Sequence, residues 1–176
     1  VLLGNPAVLM ERLEAVGLEP GDYDVIDPFQ GEDLQRYIDE LYGVGCRRGY
    51  TRKKAENLAH SCLRLGLMML RLGEVDAMVT GADDAYGDTV RKVLPLMDTK
   101  PGVTRAAGFN LLLIEGKVYV IGDTTLNIDP NARQLADIAL LGAKLAADLG
   151  LSPKVAMLSF SNFGDSMHPR ARKVAD

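Results

Sequence analysis

Short apolar runs alternate with amphipathic helical patterns along this chain, and this alternation constrains its fold more than any other feature. Runs at residues 75–80 and 154–160 end at polar turns, as buried strands do. Between the runs, apolar residues recur at helical spacing, for example at Leu58, Cys62 and Leu65. Strands that alternate with helices of this length imply right-handed crossovers and a mostly parallel sheet. The sequence therefore predicts an α/β fold with helices flanking the sheet.

The remaining elements are predicted from the same patterns. Further strands are expected at residues 1–4, 24–26, 106–114 and 117–122, the last two forming a hairpin. Helices are expected at residues 6–16, 32–42, 51–72, 88–97 and 129–149. Lys100-Pro101-Gly102 marks a border between two subdomains around a cleft, at residues 1–100 and 101–176. Both subdomains are expected to be incomplete, because the chain opens within a strand pattern and stops within a helical one.

Composition excludes several classes of protein. The chain has 176 residues and no apolar run near the roughly 20 residues that span a bilayer. Its two cysteines, Cys46 and Cys62, are too few for a disulfide framework or a zinc quartet. We therefore expect a cytoplasmic protein with reduced thiols, no metal site and no membrane partner.

The charge distribution points to a small anionic ligand. The net charge of −4 argues against a nucleic-acid partner, which requires a basic face. Basic clusters occur at residues 47–48, 52–54 and 170–173. A solvated helix surface explains such clusters equally well.

The first candidate site is the turn after residue 80. Ligands of parallel sheets bind at the carboxyl ends of the strands. Here Thr80-Gly81-Ala82-Asp83-Asp84 leads into a helix whose N-terminus can bind an anion, and Arg91 lies about one turn into that helix. The alternative is an ordinary β-α turn with Arg91 on a solvated face.

The turns after residues 122 and 160 are the other candidates. In residues 123–130, Asp, Asn and Thr side chains can bond to their own backbone, so loop chemistry explains them without a ligand or metal. In residues 159–166, Ser159 and Ser161 lie on one side of the strand end and Gly164 lets backbone approach, as in a phosphate or carbonyl cradle. Neither serine lies on the G-x-S-x-G elbow of a serine hydrolase, and nucleotide-binding P-loop and G-x-G-x-x-G motifs are absent from the sequence.

Six segments, in this order and spacing, resemble the phosphate acetyl/butyryltransferase family over nearly the whole chain. They lie at residues 73–81, 88–91, 99–103, 123–130, 135–139 and 155–161. Within the family, Ser161-Asn162-Phe163-Gly164 is similar to the C-terminal domain of NADP-dependent malic enzymes, which is thought to sense acetyl-CoA. Residues 99–103 are closer to the true transferases.

The resemblance implies a ligand and a set of site residues. The ligand is acetyl-CoA or CoA, with phosphate as a second small molecule, and no other cofactor is implied. Arg91 matches the family arginine that meets CoA or phosphate, and the turn at Ser159 and Ser161 matches one that lines the same cleft. Gly45 stands where the family usually has a second arginine, which puts full CoA affinity in doubt. The predicted acyl-CoA and phosphate-binding residues are Gly81, Thr89, Arg91, Ser159, Ser161, Asn162 and Gly164.

No catalytic residue is assigned, because the family's Ser-Arg pair and catalytic Asp are expected beyond residue 176. Three functions follow as hypotheses. The first is the regulatory acetyl-CoA-binding module of a malic enzyme, and the second is an active phosphate acyltransferase. The third is an α/β domain kept for assembly, with the apolar hairpin at residues 111–120 as its interface. The family resemblance implies a homodimer or a larger homo-oligomer.

Overall fold

A computed structural model describes residues 1–31, 33–82 and 84–176. The chain forms two compact units, Val1–Asp98 and Thr99–Asp176. Both combine helices with a two-stranded sheet, which confirms the predicted α/β class. That these units are incomplete subdomains, with a border near residue 100, stays a prediction.

The first unit consists mainly of helices around a parallel strand pair. Its strands are β1 (Leu2–Leu3) and β2 (Val25–Ile26), paired in parallel with Leu2 opposite Val25. Its helices are α1 (Pro6–Ala15), α2 (Leu34–Gly45), α3 (Arg52–Ala59), α4 (Cys62–Arg71) and α5 (Tyr86–Val93). The expected start of α2, Glu32, lies outside the described residues.

The apolar faces of α2 and α4 form the core of this unit. Leu41, Leu65 and Met68 are almost fully buried there, together with Leu96 after α5. Arg71 at the end of α4 ties these elements together, because its guanidinium contacts Glu40 and Asp98 at 3.0 Å and the Leu96 carbonyl at 2.9 Å. Arg71 thus joins α4 to α2 and to the segment that follows α5.

The long helix predicted at residues 51–72 is two helices, so this prediction is wrong in its detail. α3 ends at Ala59 and α4 begins at Cys62, with Ser61 in an extended conformation between them. His60 occupies the break, where its ring stacks on Phe29 at 5.0 Å and its Nδ1 lies 3.0 Å from the Pro28 carbonyl oxygen. These contacts hold His60 against a segment more than thirty residues away. They supply a tertiary reason for the break that helical periodicity does not reveal.

The second unit contains the predicted hairpin. β3 (Phe109–Ile114) and β4 (Lys117–Gly122) pair antiparallel, with Ile114 opposite Lys117. Glu115 and Gly116 both have positive φ, as a two-residue type I′ turn requires. α6 (Ala132–Asp148) and α7 (Pro169–Ala175) complete the unit.

Two predicted strands, residues 75–80 and 154–160, are not assigned as strands in the described structure. A strand requires a hydrogen-bonded neighbour at about 4.8 Å, and these segments pair with none of the described strands. Many of their apolar side chains are correspondingly exposed, with Val79 at 99% and Leu158 at 83%, whereas Val75 and Met78 pack against the core of the first unit. The expected mostly parallel sheet is thus represented by one parallel pair and one antiparallel hairpin.

Candidate functional site

The turn after residue 80 brings Gly81 close to Thr89 on α5. A Cβ placed on Gly81, whose φ is +95°, would lie 3.8 Å from the Thr89 hydroxyl oxygen. That oxygen is buried and has no hydrogen-bond partner among residues 1–31, 33–82 and 84–176. Buried hydroxyls nearly always have a partner, so an unpartnered Thr89 hydroxyl is unusual. Asp83, which we expected in the same turn, lies outside the described residues.

Arg91 lies on α5 but folds back along its own helix. Its guanidinium pairs with the Asp88 carboxylate one turn earlier, and the side chain remains mostly exposed. An exposed pair of this kind is worth little, so an anion can replace the carboxylate at low cost. Asp84 and Asp88 place negative charge at this turn, and Arg91 offsets only part of it. The Arg91 guanidinium is thus engaged by Asp88 of its own helix, and the anion site at this turn stays a prediction.

The turn after β4 is held by Asp123. Its carboxylate accepts hydrogen bonds from the backbone amides of Leu126 and Asn127, both at 3.0 Å, and from that of Gly108 at 3.2 Å. Burial raises the pKa of Asp123, but these bonds and one from the Asn127 side chain outweigh it and hold the pKa below its usual range. Loop chemistry therefore accounts for this turn.

Sequence reasoning missed one member of this network. Arg105 donates to the Asn127 side-chain oxygen at 2.6 Å, and the Asn127 amide donates to the Ala106 carbonyl at 3.1 Å. These bonds join the segment just before β3, at Arg105 and Ala106, to the turn after β4. Residues 105 and 127 lie 22 positions apart, beyond the two ends of the predicted hairpin, and local sequence patterns do not reveal contacts at that separation.

The turn after residue 160 is braced by its two serines. The Ser159 hydroxyl accepts from the Ser161 amide at 3.1 Å. The Ser161 hydroxyl donates to Asp165 and accepts from the Ser166 amide, both at 3.0 Å. Asn162 contributes its carbonyl, which accepts from the Asp165 amide at 3.2 Å. The structure thus places Ser159 and Ser161 in one hydrogen-bonded turn that their hydroxyls shape, although the strand end on which they were predicted is not formed.

His168 is engaged close to this turn without contacting either serine. Its Nδ1 accepts from the Arg170 amide at 3.2 Å, which caps α7, and its ring meets the edge of Phe160 at 5.4 Å. A general base would need to accept the serine proton. This arrangement does not support serine hydrolase chemistry.

An apolar cavity of about 630 Å³ lies in the second unit. It opens between β4, α6 and residues 151–158, and Ser159 follows directly on its last lining residue, Leu158. Its walls include Val120, Ile138 and Met157. These walls suit an apolar group or another packed segment better than a phosphate.

Gly45, where the resemblance places a second arginine, lies directly beneath the ring of Tyr50. A Cβ on Gly45 would overlap three atoms of that ring. The Lys54 ammonium lies over the same ring, 4.3 Å from its centroid. Position 45 therefore has no room for a side chain in this structure, and the nearby Arg47 and Lys54 are exposed cations.

The seven predicted site residues divide between the units. Gly81, Thr89 and Arg91 belong to the first, and Ser159, Ser161, Asn162 and Gly164 belong to the second. Within the described part of the chain, no cluster of His, Cys, Asp and Glu is placed to hold a metal ion. Nor does any described helix combine the length and the apolar character needed to cross a membrane.

The family model for phosphate acetyl/butaryl transferase matches residues 1–176. The chain belongs to this family. It is 34% identical to a phosphate acetyltransferase of Thermoanaerobacterium thermosaccharolyticum, over 99% of this chain and 55% of that protein. It is 32% identical to the NADP-dependent malic enzyme of Salmonella typhimurium, over 100% of this chain and 24% of that protein.

A solved structure shares the fold. The EutD phosphotransacetylase from Staphylococcus aureus superposes with a TM-score of 0.83 at 31% identity, over 99% of this chain and 53% of the other. The chain thus spans about half the length of the shorter relatives and a quarter of the malic enzyme. These comparisons show a phosphate acetyltransferase-like domain, with similar identities to a phosphate acetyltransferase and to the malic enzyme.

Proposed function

We propose that this domain binds acetyl-CoA as the regulatory C-terminal module of a NADP-dependent malic enzyme. The observation that carries the proposal is the packing of Tyr50 on Gly45, which excludes a side chain where the transferases are expected to have an arginine. A binding module tolerates this loss more readily than an enzyme, because it needs affinity for the ligand but no stabilisation of a transition state.

The turn after residue 160 supports the same proposal. The sequence Ser161-Asn162-Phe163-Gly164 resembles the malic enzyme version of this turn. Over the full length of the present chain, the identity to such an enzyme is 32%. Both serine hydroxyls brace the turn. They would meet a ligand by exchanging these internal bonds rather than by acting as nucleophiles.

Arg91 is the residue we propose to meet a ligand phosphate. Replacing the exposed Asp88 carboxylate with a phosphate would give a charge-assisted bond of the kind arginine forms well. Thr89 on the same helix would add its buried hydroxyl. Ligand binding here would therefore weaken as salt is raised, because exposed charges are screened.

The test uses the protein that carries this sequence. We expect acetyl-CoA to change its NADP-linked malate oxidation, and Arg91→Ala to reduce acetyl-CoA affinity about tenfold, as loss of a charged hydrogen bond implies. Arg12→Ala is the control, because Arg12 is an exposed arginine of α1 in the same unit. Malate oxidation that ignores saturating acetyl-CoA would refute the proposal.

A second candidate is an active phosphate acyltransferase, which moves an acyl group between CoA and phosphate. It is favoured by the fold shared with a solved phosphotransacetylase and by residues 99–103. Phosphate-dependent release of CoA from acetyl-CoA distinguishes the two. Release that disappears in Arg91→Ala would establish the transferase, and its absence from a folded protein that binds acetyl-CoA would leave the regulatory module.

A further inference from the structure

The helix α5, which carries Thr89 and Arg91, is weakly anchored by its own side chains. Within the described structure, none of its eight residues is buried. A helix of about two turns is marginal by itself in water, because most helical stability in proteins comes from the packing of an apolar face. The position of α5 therefore depends on contacts made by the segments that adjoin it.

The segment that follows α5 provides such an anchor. The Leu96 amide donates to the carbonyl of Val93, the last residue of α5, at 2.9 Å. The Leu96 side chain is 1% exposed and belongs to the core of the first unit. Leu96 thus joins the C-terminal end of α5 to that core.

Arg71 of α4 holds this anchor in place. Its Nη1 donates to the Leu96 carbonyl at 2.9 Å and to the Asp98 carboxylate at 3.0 Å. Its Nε donates to the Glu40 carboxylate of α2 at 3.0 Å. The Arg71 side chain is 22% exposed, so solvent screens these bonds less than it screens a surface ion pair. A guanidinium presents its N–H groups in a rigid planar fork, so three acceptors on one fork fix each other's positions.

We propose that Arg71 is a positioning residue for Arg91. By holding Leu96 against α4 and α2, Arg71 sets where the C-terminal end of α5 lies, and Arg91 stands two positions before that end. This inference rests on the proposed function, because it names what places the arginine that meets the ligand phosphate. The Arg71 guanidinium is occupied by acceptors of the scaffold, so it acts through α5 rather than on the ligand.

Hydrogen exchange tests the anchor without any ligand. In Arg71→Lys, an ammonium keeps the charge that pairs with Glu40 but cannot reach all three acceptors at once. We expect the amides of residues 90–93 to exchange about tenfold faster than in the wild type, as loss of a charged hydrogen bond implies. The amides of α1 should exchange at the wild-type rate, because only a local opening is made easier.

Binding of acetyl-CoA tests the effect on the site, by calorimetric titration of the protein that carries this sequence. Arg71→Lys should weaken this binding about 3- to 10-fold, because hydrogen bonds weaken steeply when donor and acceptor are misaligned. In the Arg71→Lys background, Arg91→Ala should weaken binding less than it does in the wild type, since the contact is already impaired. A residue with a merely structural role would not produce this non-additivity.

Arg36→Lys is the matched control for both measurements. Arg36 belongs to the same unit, and its partner Glu74 is part of neither α5 nor residues 94–98. This substitution should leave the exchange of residues 90–93 and the acetyl-CoA affinity unchanged. The loss of affinity caused by Arg91→Ala should be the same in this background as in the wild type.

Asp98→Asn keeps the inference testable where Arg71→Lys does not fold. The Asp98 side chain is 81% exposed, so an amide in its place preserves the core and removes one charged acceptor from Arg71. Faster exchange at residues 90–93 and non-additivity with Arg91→Ala are again expected, each by a smaller factor than in Arg71→Lys.

Each contrary result has a distinct meaning. If residues 90–93 exchange in Arg71→Lys as slowly as in the wild type, Arg71 does not fix α5, and the inference is wrong while the proposed function stands. If the losses of affinity from Arg71→Lys and Arg91→Ala simply multiply, Arg71 acts independently of Arg91 and the inference is again wrong. If the wild type does not bind acetyl-CoA, the proposed function fails, and the inference that rests on it fails too.

Discussion

At the scale of single residues, the absence of a side chain at Gly45 allows the Tyr50 ring to occupy the space where that side chain would lie. Gly45 ends α2, and the Tyr50 amide donates to its carbonyl at 3.1 Å, which brings the tyrosine ring back over the helix end. The ring then supports the Lys54 ammonium. The absence of a side chain at Gly45 therefore lets the Tyr50 ring pack against the helix end, with the Lys54 ammonium over that ring.

We expect Gly45→Ala to destabilise the first unit by about 1–3 kcal/mol, because the new methyl group must displace the Tyr50 ring. Gly43→Ala is the matched control in the same helix. No atom outside its chain neighbours and helix backbone lies within 4 Å of a Cβ at Gly43, so alanine there should stabilise by about 0.5–1 kcal/mol. Urea denaturation measures both changes, and equal effects of the two substitutions would refute the packing argument.

Tyr37 illustrates a buried residue whose ionisation is coupled to folding. Its hydroxyl donates to Glu74 at 2.6 Å, and Arg36 pairs with the same carboxylate at 2.6 Å. Burial, followed by the hydrogen bond to Glu74, raises the pKa of Tyr37 to about 12. The unfolded chain therefore loses this proton at lower pH than the folded protein does.

The resulting contribution of Tyr37 to stability is fully present below about pH 10 and is lost as the pH rises toward 12. We expect the free energy of unfolding of the wild type to fall across this window more steeply than that of Tyr37→Phe. At neutral pH the substitution should cost about 2 kcal/mol, the value of a hydrogen bond to a charged group. Parallel alkaline unfolding curves for the two proteins would contradict the assignment.

At the scale of elements, the loop after β4 shows why a polar turn need not be a site. Asp123 accepts bonds from amides on both sides of the hairpin end, and Asn127 carries the network to Arg105. The hydrogen-bonding capacity of the Asp123 carboxylate is taken up by backbone amides. Its role is to fix the approach to α6, which starts with an Asn131 and Gln134 capping box.

We expect Asp123→Asn to destabilise the second unit by about 1–3 kcal/mol at pH 7, because an amide cannot accept all of these bonds. The folded carboxyl has a depressed pKa, so its contribution is present above about pH 4 and is lost on further acidification. The variant should therefore lose less stability than the wild type between pH 5 and pH 2. Asp148→Asn, on the exposed surface of α6, is the control that should leave the acid curve unchanged.

At the scale of the whole molecule, the two units differ in how much core they have. Most buried apolar residues belong to the first unit, whereas Ile138, Ala146 and Ala171 are those of the second. The hairpin of the second unit leaves apolar side chains exposed on both faces, with Leu112, Ile114, Tyr119 and Ile121 on one face and Leu111, Leu113 and Val118 on the other. Exposed apolar patches of this kind usually mark an interaction surface.

We propose that the hairpin face of Leu112 contributes to a homo-oligomer, as the family resemblance leads us to expect. Leu112→Glu should then shift the protein toward the monomer in sedimentation velocity, because it places a charge within an apolar interface. Leu140→Glu, at an exposed apolar position of α6, is the control and should leave the distribution unchanged. If Leu112→Glu sediments as the wild type does, the face has another role.

The sequence by itself determined the features that depend on neighbours within a few residues. It predicted the α/β class, the hairpin, expected at residues 106–122 and observed at 109–122, and the local bonding of Asp123. It also predicted that Ser159 and Ser161 share one turn. Periodicity and side-chain-to-backbone bonds act over such distances, so a linear pattern is enough to show them.

Only the tertiary structure decided the features that need a distant partner. It broke the helix at His60, laid Tyr50 on Gly45, buried the Thr89 hydroxyl and joined Arg105 to Asn127. It also left residues 75–80 and 154–160 without strand assignment, although their composition is that of strands. A strand exists only when another segment supplies its hydrogen bonds, and that partner is chosen by the packing of the whole chain.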